Sequence, residues 1–500
     1  MPERAADVMT AVEMAVLEQN AVALGISIDA LMENAGRAIA EEASHHLPSA
    51  PARVAFVAGS GNNGGDGTCA AFYLGQWGYT PEIWMVRPPS EIRSVAARRC
   101  FERIERRYPV RFHAPKPHEL ADIPLVIDAL LGTGQTGRPQ GGYGEAVIAI
   151  NAAGAPVLSI DVPSGLGSDL SVRPRWTVAL TSLKPGMSDA TCGTITVRDI
   201  GIPEAARRRS GPGDFLFFPV ERNRGPRGRS GRVVVIGGGP YAGAPGLAAL
   251  AALRAGAERA TVLAPRPAAD QVQGFSPNLV VRSVGEEAFR PDDVPRLVEL
   301  VKGSSVQAIV VGMGVGSDPS TLDALRQLLR EIVAHAPLVV DAEALAALPP
   351  SRDAPSAAGA AIVGTPNVGE YLRDFEGGTE GSWEDRLEAA RQRARARGMT
   401  LLVKGEADLV TDGTRAVMSP PHPRALAVAG AGDVLAGVVG ALLAQGLAPF
   451  ASARLASYWV GEAGSRVAAR RGFGLVATDL LEELPATLVD GLARVRRPYD

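Results

Sequence analysis

The sequence predicts an α/β protein with two halves, each built on a parallel sheet covered by helices. Short apolar runs that end in glycine-rich or aspartate-rich turns alternate with helical patterns along the chain, which is typical of βα units. A stretch rich in Pro, Gly and Arg at residues 201–230 interrupts this alternation. Because a chain of 500 residues exceeds the usual size of one domain, we expect two domains, residues 1–220 and residues 221–500.

Composition and charge narrow the class of function. The chain is 46% hydrophobic, and its net charge of −3 comes from 51 basic and 54 acidic residues. This balance gives no electrostatic basis for binding nucleic acid or an anionic membrane. Three cysteines without metal-ligand spacing, dispersed histidines and no signal-peptide pattern lead us to expect a reduced, cytoplasmic protein.

The first half begins with helical patterns across residues 9–43, followed by a predicted buried strand at residues 53–58. A polar glycine-rich loop, residues 59–67, then leads into a helical run at residues 69–77. Strand, glycine-rich loop and helix in this order form the layout that binds phosphate groups. The loop is unusually rich in Asn and Asp for that purpose, and a polar turn without a ligand is the alternative interpretation.

Two further predicted strands of the first half, residues 126–131 and residues 156–160, also end in polar turns. In an open parallel sheet, ligands bind at the carboxyl ends of the strands. Asn63, Asp128 and Ser164 would there supply hard oxygen ligands for a cation, and a monovalent ion is one candidate. A single aspartate at such a position would more simply cap a turn.

Three motifs of the first half, Gly61–Gly67, Asp128–Gly134 and Ser159–Gly165, together resemble the epimerase domain of the NAD(P)H-hydrate repair family. The resemblance covers residues 8–205. It implies a Rossmann-like three-layer α/β/α fold. It also implies interconversion of the R and S forms of hydrated NADH or NADPH.

The same resemblance implies particular site residues. Potassium would be bound by Asn63, Asp128 and Ser164. Asp161 would lie on the hydrate, and we expect it to act as the acid or base. Lys184 either faces this site or lies in a surface loop. The implied substrate contacts are Asn62, Asn63, Gly64, Gly65, Asp66, Gly132, Thr133, Gly134, Gln135, Thr136, Gly137, Arg138 and Asp161.

The second half repeats the alternation of strands and helices. A predicted strand at residues 232–236 leads into a second glycine-rich loop, residues 237–246, and then into a helix that runs to Arg254. Later strands end in the glycines of residues 312–316, in Asp341, in the turn of residues 365–370 and in Lys404-Gly405. An α/β domain with many glycine turns accounts for these features without any ligand.

Asp433 lies where a small glycine-rich turn, residues 429–432, runs into an apolar helical pattern that stops near Gly446. Backbone amides and the helix dipole attract anions at such a position. A carboxylate beside a bound phosphate is well placed to accept a proton from an attacking hydroxyl. Alternatively, Asp433 is only a helix N-cap. A membrane span is disfavoured by Asp433 itself and by the lack of interfacial anchors.

Taken in order, the motifs of the second half resemble a ribokinase-like α/β/α fold, and more closely the ADP-dependent NAD(P)H-hydrate dehydratase domain of the same family, over residues 228–490. In that family, ADP phosphorylates the hydroxyl on the hydrated nicotinamide ring, and loss of phosphate restores the double bond. Asp433 would deprotonate the hydroxyl, while the amides of residues 430–432 neutralise the transferring phosphate.

This resemblance also implies a set of contacts, with three departures from the family pattern. Nucleotide contacts would be Lys404, Gly405, Glu406, Ala407, Asp408, Gly430, Ala431 and Gly432. Hydrate contacts would be Ala244, Gly316, Asn367 and Asp433, and Glu370 would help to hold magnesium. Asn367 and Val460 stand where the family has His, and Glu343 replaces Asp. An amide can donate a hydrogen bond but cannot change charge near neutral pH.

We therefore expect a bifunctional repair enzyme that acts on hydrated NADH and NADPH, with potassium in the first half and magnesium with ADP in the second. We expect a homo-oligomer, without nucleic-acid or membrane partners. Two other functions stay open. The second half could be a ribokinase-like kinase for a vitamin precursor alcohol, joined to a non-catalytic N-terminal module. The first half could be a binding module, as in related domains of RNA-decapping scaffold proteins.

Overall fold

The computed structural model describes residues 8–135, 137–220, 231–348, 361–378 and 380–495. Contacts group these residues into two compact units, the first ending at Ala206 and the second running from Arg207. Each unit has its own sheet with helices on both faces, so the α/β class expected for both halves is confirmed. The domain boundary expected near residue 220 stays a prediction, because grouping by contacts does not show which residues fold independently.

A seven-stranded sheet forms the centre of the first unit, as far as the described residues show. Its strands are β1 (Arg53–Ala58), β2 (Thr80–Met85), β3 (Val110–Arg111), β4 (Val126–Ala129), β5 (Val157–Ile160), β6 (Trp176–Leu180) and β7 (Thr194–Arg198). They are parallel and lie in the order β3-β2-β1-β4-β5-β6-β7. Successive strands are added to one side of β1 as far as β3 and to its other side from β4 onward, so the strand order reverses between β1 and β4. Open α/β sheets bind ligands at such a switch point.

The helices from residue 8 to residue 220 cover the two faces of this sheet. They are α1 (Ala11–Ala23), α2 (Ile28–His46), α3 (Asn62–Gln76), α4 (Val95–Glu105), α5 (Pro117–Leu120), α6 (Gly142–Ala152), α7 (Asp189–Cys192) and α8 (Glu204–Arg208), with 3-10 turns at Pro89–Glu91 and Pro212–Phe217. Alternate strand residues serve opposite faces: Phe56 packs with α2, α3 and α4, whereas Val57 packs with α6.

The prediction of a loop at residues 59–67 was wrong, because α3 already begins at Asn62. The glycines serve close packing rather than chain flexibility. A Cβ atom on Gly64 would lie 1.9 Å from the Gly59 carbonyl oxygen, and one on Gly65 would lie 2.6 Å from the Ala97 Cβ. Helix α3 therefore approaches its neighbours more closely than side chains would permit.

A nine-stranded sheet forms the centre of the second unit within the described ranges. Its strands are β8 (Arg232–Ile236), β9 (Arg259–Ala264), β10 (Leu279–Ser283), β11 (Ala308–Val311), β12 (Leu338–Val340), β13 (Ile362–Gly364), β14 (Thr400–Val403), β15 (Leu409–Thr411) and β16 (Ala416–Met418). Their order is β10-β9-β8-β11-β12-β13-β14-β15-β16, and only the last two pairings are antiparallel. The switch point lies between β8 and β11.

The second unit has helices on both faces of this sheet. They are α9 (Gly243–Arg254), α10 (Arg266–Gln273), α11 (Val294–Lys302), α12 (Pro319–Ile332), α13 (Val368–Phe375), α14 (Trp383–Arg397), α15 (Ala431–Ala444), α16 (Pro449–Arg471) and α17 (Ala477–Arg494), with 3-10 turns at Pro291–Asp293, Ala342–Ala347, Arg424–Leu426 and Gly472–Gly474. The loop predicted at residues 237–246 is shorter than expected, because α9 begins at Gly243. In the described part of the chain, no helix combines the length and apolar character needed to cross a membrane.

Candidate functional site

In the first unit, Asp128 anchors the switch point. It lies at the end of β4, opposite Val57 of β1, and its side chain is fully buried. Its Oδ2 accepts hydrogen bonds from the Ser159 hydroxyl (2.8 Å) and the Ser164 amide (2.9 Å), and its Oδ1 accepts one from the Ser164 hydroxyl (2.6 Å). Burial raises the pKa of Asp128, and these hydrogen bonds oppose that shift.

Asn63, in the first turn of α3, provides an unpaired polar group beside this anchor. Its side chain is buried, yet neither its amide nitrogen nor its carbonyl oxygen has a hydrogen-bond partner. A Cβ on Gly132 would lie 3.7 Å from the Asn63 Oδ1, and the neighbouring Leu131 amide donates to Ser164 (2.9 Å). The structure thus brings Asn63, Asp128 and Ser164 together. Because a buried unsatisfied group costs about 1–3 kcal/mol, Asn63 is ready for a ligand.

Asp161 and Lys184 form an ion pair at the same edge of the sheet, with Lys184 buried and Asp161 partly exposed. Asp161 follows β5 with a φ of 65°, a left-handed conformation that costs a non-glycine residue energy. The Lys184 ammonium donates to the Asp161 carboxylate and, at 2.7 Å, to the Leu180 carbonyl. Since only 3% of Lys184 is exposed, the surface-loop interpretation of this lysine is wrong.

Two more acids, Glu18 and Asp66, lie within electrostatic range of Asp161. Burial raises the pKa of Glu18 to about 7, with Asp161 adding to the shift and Lys184 opposing it. Burial, followed by the charges of Asp161 and Glu18, holds the pKa of Asp66 well above its usual range. The raised pKa values of Glu18 and Asp66 favour the protonated form of these two groups, so the cluster offers proton donors beside the ion-paired Asp161.

Sequence reasoning missed Glu18, which α1 carries into this site. The Ser182 hydroxyl contacts the Met14 sulfur at 3.4 Å, and the Met9 amide donates to the Leu183 carbonyl at 2.9 Å. Glu18 lies one turn beyond Met14 on the same face of α1. The available signal was a lone carboxylate on the apolar face of a helix, next to Leu17.

The remaining predicted contacts of the first half lie around the ends of β1 and β4. Asn62 is exposed at the start of α3, whereas Gly64 and Gly65 are buried inside it. Arg138 is exposed and forms an ion pair with Asp169. The segment after β4 contains Gly132, Thr133, Gly134, Gln135, Gly137 and Arg138, and Thr136 lies outside the described residues.

In the second unit, Asp433 is the third residue of α15. The helix N-cap is Gly430, whose φ of 92° suits glycine, so the interpretation of Asp433 as the N-cap is wrong. Burial raises the pKa of Asp433 to about 7, with Asp341 adding to the shift and Lys404 opposing it. A carboxyl group with this pKa at a helix start is suited to general base catalysis near neutral pH.

Lys404 places a positive charge beside the first turn of α15. Its ammonium donates to the Asp341 Oδ1 at 2.7 Å, and a Cβ on Gly432 would lie 3.1 Å from it. The Thr365 hydroxyl donates to the same carboxylate oxygen at 2.8 Å, which fixes Asp341. Burial alone would lower the pKa of Lys404, but Asp341 and Glu370 raise it overall, so the side chain stays charged.

The two glycine-rich loops of the second unit meet at the switch point between β8 and β11. A Cβ on Gly314 would lie 3.3 Å from the Ala244 Cβ, and one on Gly316 would lie 3.0 Å from Pro240. Helix α9, which carries Ala244, also packs against α15: a Cβ on Gly437 would lie 2.1 Å from the Ala248 carbonyl oxygen. These close contacts bring Ala244 and Gly316 to the edge where Asp433 lies.

Asn367 caps helix α13 at the same edge. Its side-chain Oδ1 accepts a hydrogen bond from the Glu370 backbone amide (3.0 Å). In return, the Glu370 carboxylate accepts one from the Asn367 backbone amide (2.7 Å). Asparagine is among the best N-cap residues, so the residue that departs from the family pattern has a structural role here. Val460 is buried within α16, and the His422 ring lies against the adjacent Gly461.

Asp408 closes the turn that follows Lys404. Its Oδ1 accepts a hydrogen bond from the Gly405 amide at 3.1 Å, and its Oδ2 accepts one from the Ser457 hydroxyl at 2.8 Å. The side chain is buried, whereas Gly405 and Glu406 are exposed. Asp408 therefore shapes the turn from inside, and the exposed residues can meet a ligand.

Comparisons with known proteins match one family model to each half of the chain. Residues 28–186 match the family described as YjeF-related protein N-terminus, and residues 233–486 match the family described as NAD(P)H-hydrate dehydratase. The bifunctional NAD(P)H-hydrate repair enzyme of Hyperthermus butylicus is 36% identical, over 98% of this chain and 94% of its own. Its counterpart from Archaeoglobus fulgidus is 37% identical, over 95% of this chain and 97% of its own. A solved ADP/ATP-dependent NAD(P)H-hydrate dehydratase from Bacillus subtilis is 21% identical with a TM-score of 0.46, over 53% of this chain and 94% of its own.

Proposed function

The chain belongs to the family of bifunctional NAD(P)H-hydrate repair enzymes, and we propose how its two sites divide the work. The first half interconverts the R and S forms of hydrated NADH and NADPH. The second half dehydrates the S form at the expense of ADP, giving NAD(P)H, AMP and phosphate. The observation that carries this assignment is the position of Asp433 in the first turn of α15, where a Cβ on Gly432 would lie 3.1 Å from the Lys404 ammonium. The raised pKa of Asp433, about 7, is consistent with this role.

In the second half, Asp433 takes the proton of the ring hydroxyl, and the hydroxyl oxygen attacks the terminal phosphate of ADP. The amides of Gly430, Ala431 and Gly432 and the Lys404 ammonium stabilise the charge on the transferred phosphoryl group. AMP leaves, and loss of phosphate together with a proton from the neighbouring ring carbon then restores the ring double bond. Phosphate is a far better leaving group than hydroxide, which explains why a nucleotide is consumed.

Magnesium would accompany ADP in this site. Glu370 suits it because burial raises the pKa of this carboxyl group, and a neighbouring cation would favour the charged form. When bound, magnesium would neutralise phosphate oxygens. We assign the nucleotide to the turn of residues 404–408 and the start of α15, and the hydrate to Ala244, Gly316, Asn367 and Asp433.

In the first half, Asp161 takes a proton from the hydrated ring and Glu18 returns one. Lys184 fixes the orientation of the Asp161 carboxylate through its hydrogen bond. Glu18, with its pKa raised to about 7, holds a proton that it can deliver near neutral pH. The loop of residues 132–138 and the first turn of α3 would bind the nucleotide part of the substrate.

Potassium fits the edge between β1 and β4. The unpaired carbonyl oxygen of Asn63 is the kind of neutral ligand that this ion accepts, and the buried Asp128 supplies compensating charge, with Ser164 holding it in place. When bound, potassium would supply positive charge for the substrate phosphates.

We also propose a cytoplasmic location, because all three cysteines are free thiols. Homo-oligomeric assembly stays a prediction that light scattering can check.

The test is recovery of NADH absorbance from a mixture of R and S hydrated NADH, with magnesium, potassium and ADP present. We expect complete recovery. Recovery of the S fraction alone would show that the first half is not an epimerase. A stable phosphorylated product without NADH would show a small-molecule kinase instead. A parallel reaction with ATP determines which nucleotide the second half uses.

A further inference from the structure

Three side chains that the proposed reactions do not use converge behind the first turn of α3. Glu33 of α2, Cys69 of α3 and Cys100 of α4 each offer one ligand-type atom, and these atoms lie within 4.8 Å of one another. Cys69 is fully buried, and 4% of Cys100 is exposed. The sequence separates the two cysteines by 31 residues, so their proximity arises from helix packing alone.

Glycines bring these helices together. A Cβ on Gly65 would lie 2.6 Å from the Ala97 Cβ, so α3 and α4 touch at that level. Cys69 lies one turn beyond Gly65, and Cys100 lies one turn beyond Ala97, so both thiols extend from the contacting faces. On the other side, a Cβ on Gly36 of α2 would lie 2.5 Å from the Cys69 Cβ. The two sulfurs are therefore held side by side.

The surroundings of the thiols favour oxidation over metal binding. Arg103 donates to the Cys69 sulfur at 3.1 Å and pairs with Glu33 at 2.7 Å, and the Tyr73 hydroxyl donates to Glu33 at 2.8 Å. The hydrogen bond with Cys100 and burial raise the pKa of Cys69, so Cys69 stays a thiol whose S–H donates to Glu33 at 3.4 Å. The hydrogen bond from Cys69 also lowers the pKa of Cys100. Arg103 already occupies the position from which a metal ion would balance the charge of Glu33.

We propose that Cys69 and Cys100 are a redox pair that a hydroperoxide converts to a disulfide, and that this disulfide lowers the epimerase activity of the first half. The Cys100 thiolate attacks a peroxide oxygen. A sulfur–oxygen bond forms, the oxygen–oxygen bond breaks, and an alcohol or water leaves with the thiol proton. Cys69 then attacks the sulfenic sulfur of Cys100, forming the disulfide and releasing water. Both sulfurs are oxidised, and the two peroxide oxygens are reduced.

The effect on epimerisation rests on the function proposed above. Asp66 lies one turn of α3 before Cys69, and Asn63 lies in the first turn of the same helix. A disulfide requires a sulfur–sulfur distance of about 2 Å. Because Gly65 and Ala97 already touch, drawing the sulfurs together changes how α4 lies against α3 at the level of Asp66. The second half has no part in this pair, so its dehydration reaction is the internal reference.

To test this, the purified full chain is treated with hydrogen peroxide and its remaining thiols are blocked. Its peptides are then mapped by mass spectrometry. We expect a crosslinked Cys69–Cys100 peptide, with the loss of two hydrogens per chain and reversal by dithiothreitol. Epimerisation should fall several-fold on oxidation, with dehydration of the S form unchanged. Cys192→Ala should behave like the natural chain, since Cys192 lies on α7. Cys69→Ser and Cys100→Ser should each abolish both the crosslink and the loss of activity.

Three results would overturn the proposal. The first is oxidation of Cys100 to the sulfinic acid without a crosslink. The second is crosslink formation with unchanged epimerisation. The third is protection of both thiols by Zn²⁺ that remains bound through gel filtration, which would identify a metal site. If the reduced protein dehydrates the S form but never epimerises, the proposed function of the first half fails, and peptide mapping still decides whether the disulfide forms.

Discussion

The two units use the same kind of sheet edge for different chemistry. In the first, carboxyl groups cluster at the edge beyond β5 and β6: Asp161 is paired with Lys184, and Glu18 lies within electrostatic range of both. In the second, a helix begins at the edge, and Lys404 lies beside its first turn. A cluster of carboxyl groups suits proton transfer, whereas a helix start with an ammonium suits phosphate binding.

Glycines also have different roles in the two units. In the first, Gly64 and Gly65 lie inside α3 and allow it to contact its neighbours. In the second, Gly430 adopts a φ of 92° and ends the turn before α15, which leaves the amides after it accessible. A glycine-rich stretch after a strand is therefore not evidence of one mode of binding. Its position relative to the helix start decides the role.

The largest expected effect sharpens this contrast. Asp433→Asn should lower the rate of dehydration by about 10²–10⁴-fold, because it removes the general base. The natural rate should rise with pH through about 7, where Asp433 loses its proton, and the variant should lose this dependence. Epimerisation should not change. Asp323→Asn, an exposed site on α12, is the matched control. A variant with an unchanged pH profile would exclude Asp433 as the base.

Glu18→Gln addresses the first unit. We expect epimerisation to fall by about 10²-fold and to lose its decline above pH 7, because glutamine cannot deliver the proton that Glu18 holds below its raised pKa. Dehydration of the pure S form should be unaffected. Glu105→Gln on the exposed face of α4 is the control. If the variant epimerises at the natural rate across the pH range, Glu18 has only a structural role.

Arg454→Met tests where the second unit begins. Arg454 forms a buried double hydrogen bond with Asp214, both at 2.9 Å, so residues around 214 are joined to α16. Removing one member of such a pair should lower the free energy of unfolding by about 3–5 kcal/mol. Chemical denaturation would measure this, and dehydration should be lost together with the folded second unit. Combining the change with Asp214→Leu should restore part of the stability, since no unpaired buried charge remains.

The smallest effect is expected for Asn367→His, which restores the residue typical of the family. The main contacts of Asn367 are those of an N-cap, so we expect a loss of about 0.5–1 kcal/mol in unfolding free energy. The dehydration rate should change less than threefold. A large gain in rate would instead show that a titrating side chain at this position takes part in the reaction.

The sequence predicts the apolar strands that precede the polar and glycine-rich turns, but not the strands at the sheet margins. Residues 53–58 and 232–236 are strands with the predicted limits, because their uninterrupted apolar runs are bounded by turn residues. The predicted start of α3 was wrong, because a local sequence pattern cannot show that glycines face other helices. Close packing is a tertiary property, so it is visible only in the fold.

The candidate sites likewise contain residues that the sequence predicts and residues that only the packing of helices reveals. Asp433, Lys404 and Asp161 lie directly after turns and strands, so the sequence predicts their places at the sheet edges, and their roles stay predictions. Glu18 lies on a helix far away in sequence, and only packing of α1 against residues 182–183 brings it into the site. The pairing of Cys69 with Cys100 likewise depends on contact between two helices.

The central claim is that two separate sites act in succession, and mixing two inactive variants tests it most directly. Asp161→Asn and Asp433→Asn would each be supplied with pure R hydrated NADH, ADP, magnesium and potassium, and NADH recovery would be followed by absorbance. We predict that each variant alone recovers no NADH beyond the spontaneous rate, and that the equimolar mixture recovers it fully. A mixture as inactive as its components would contradict the claim.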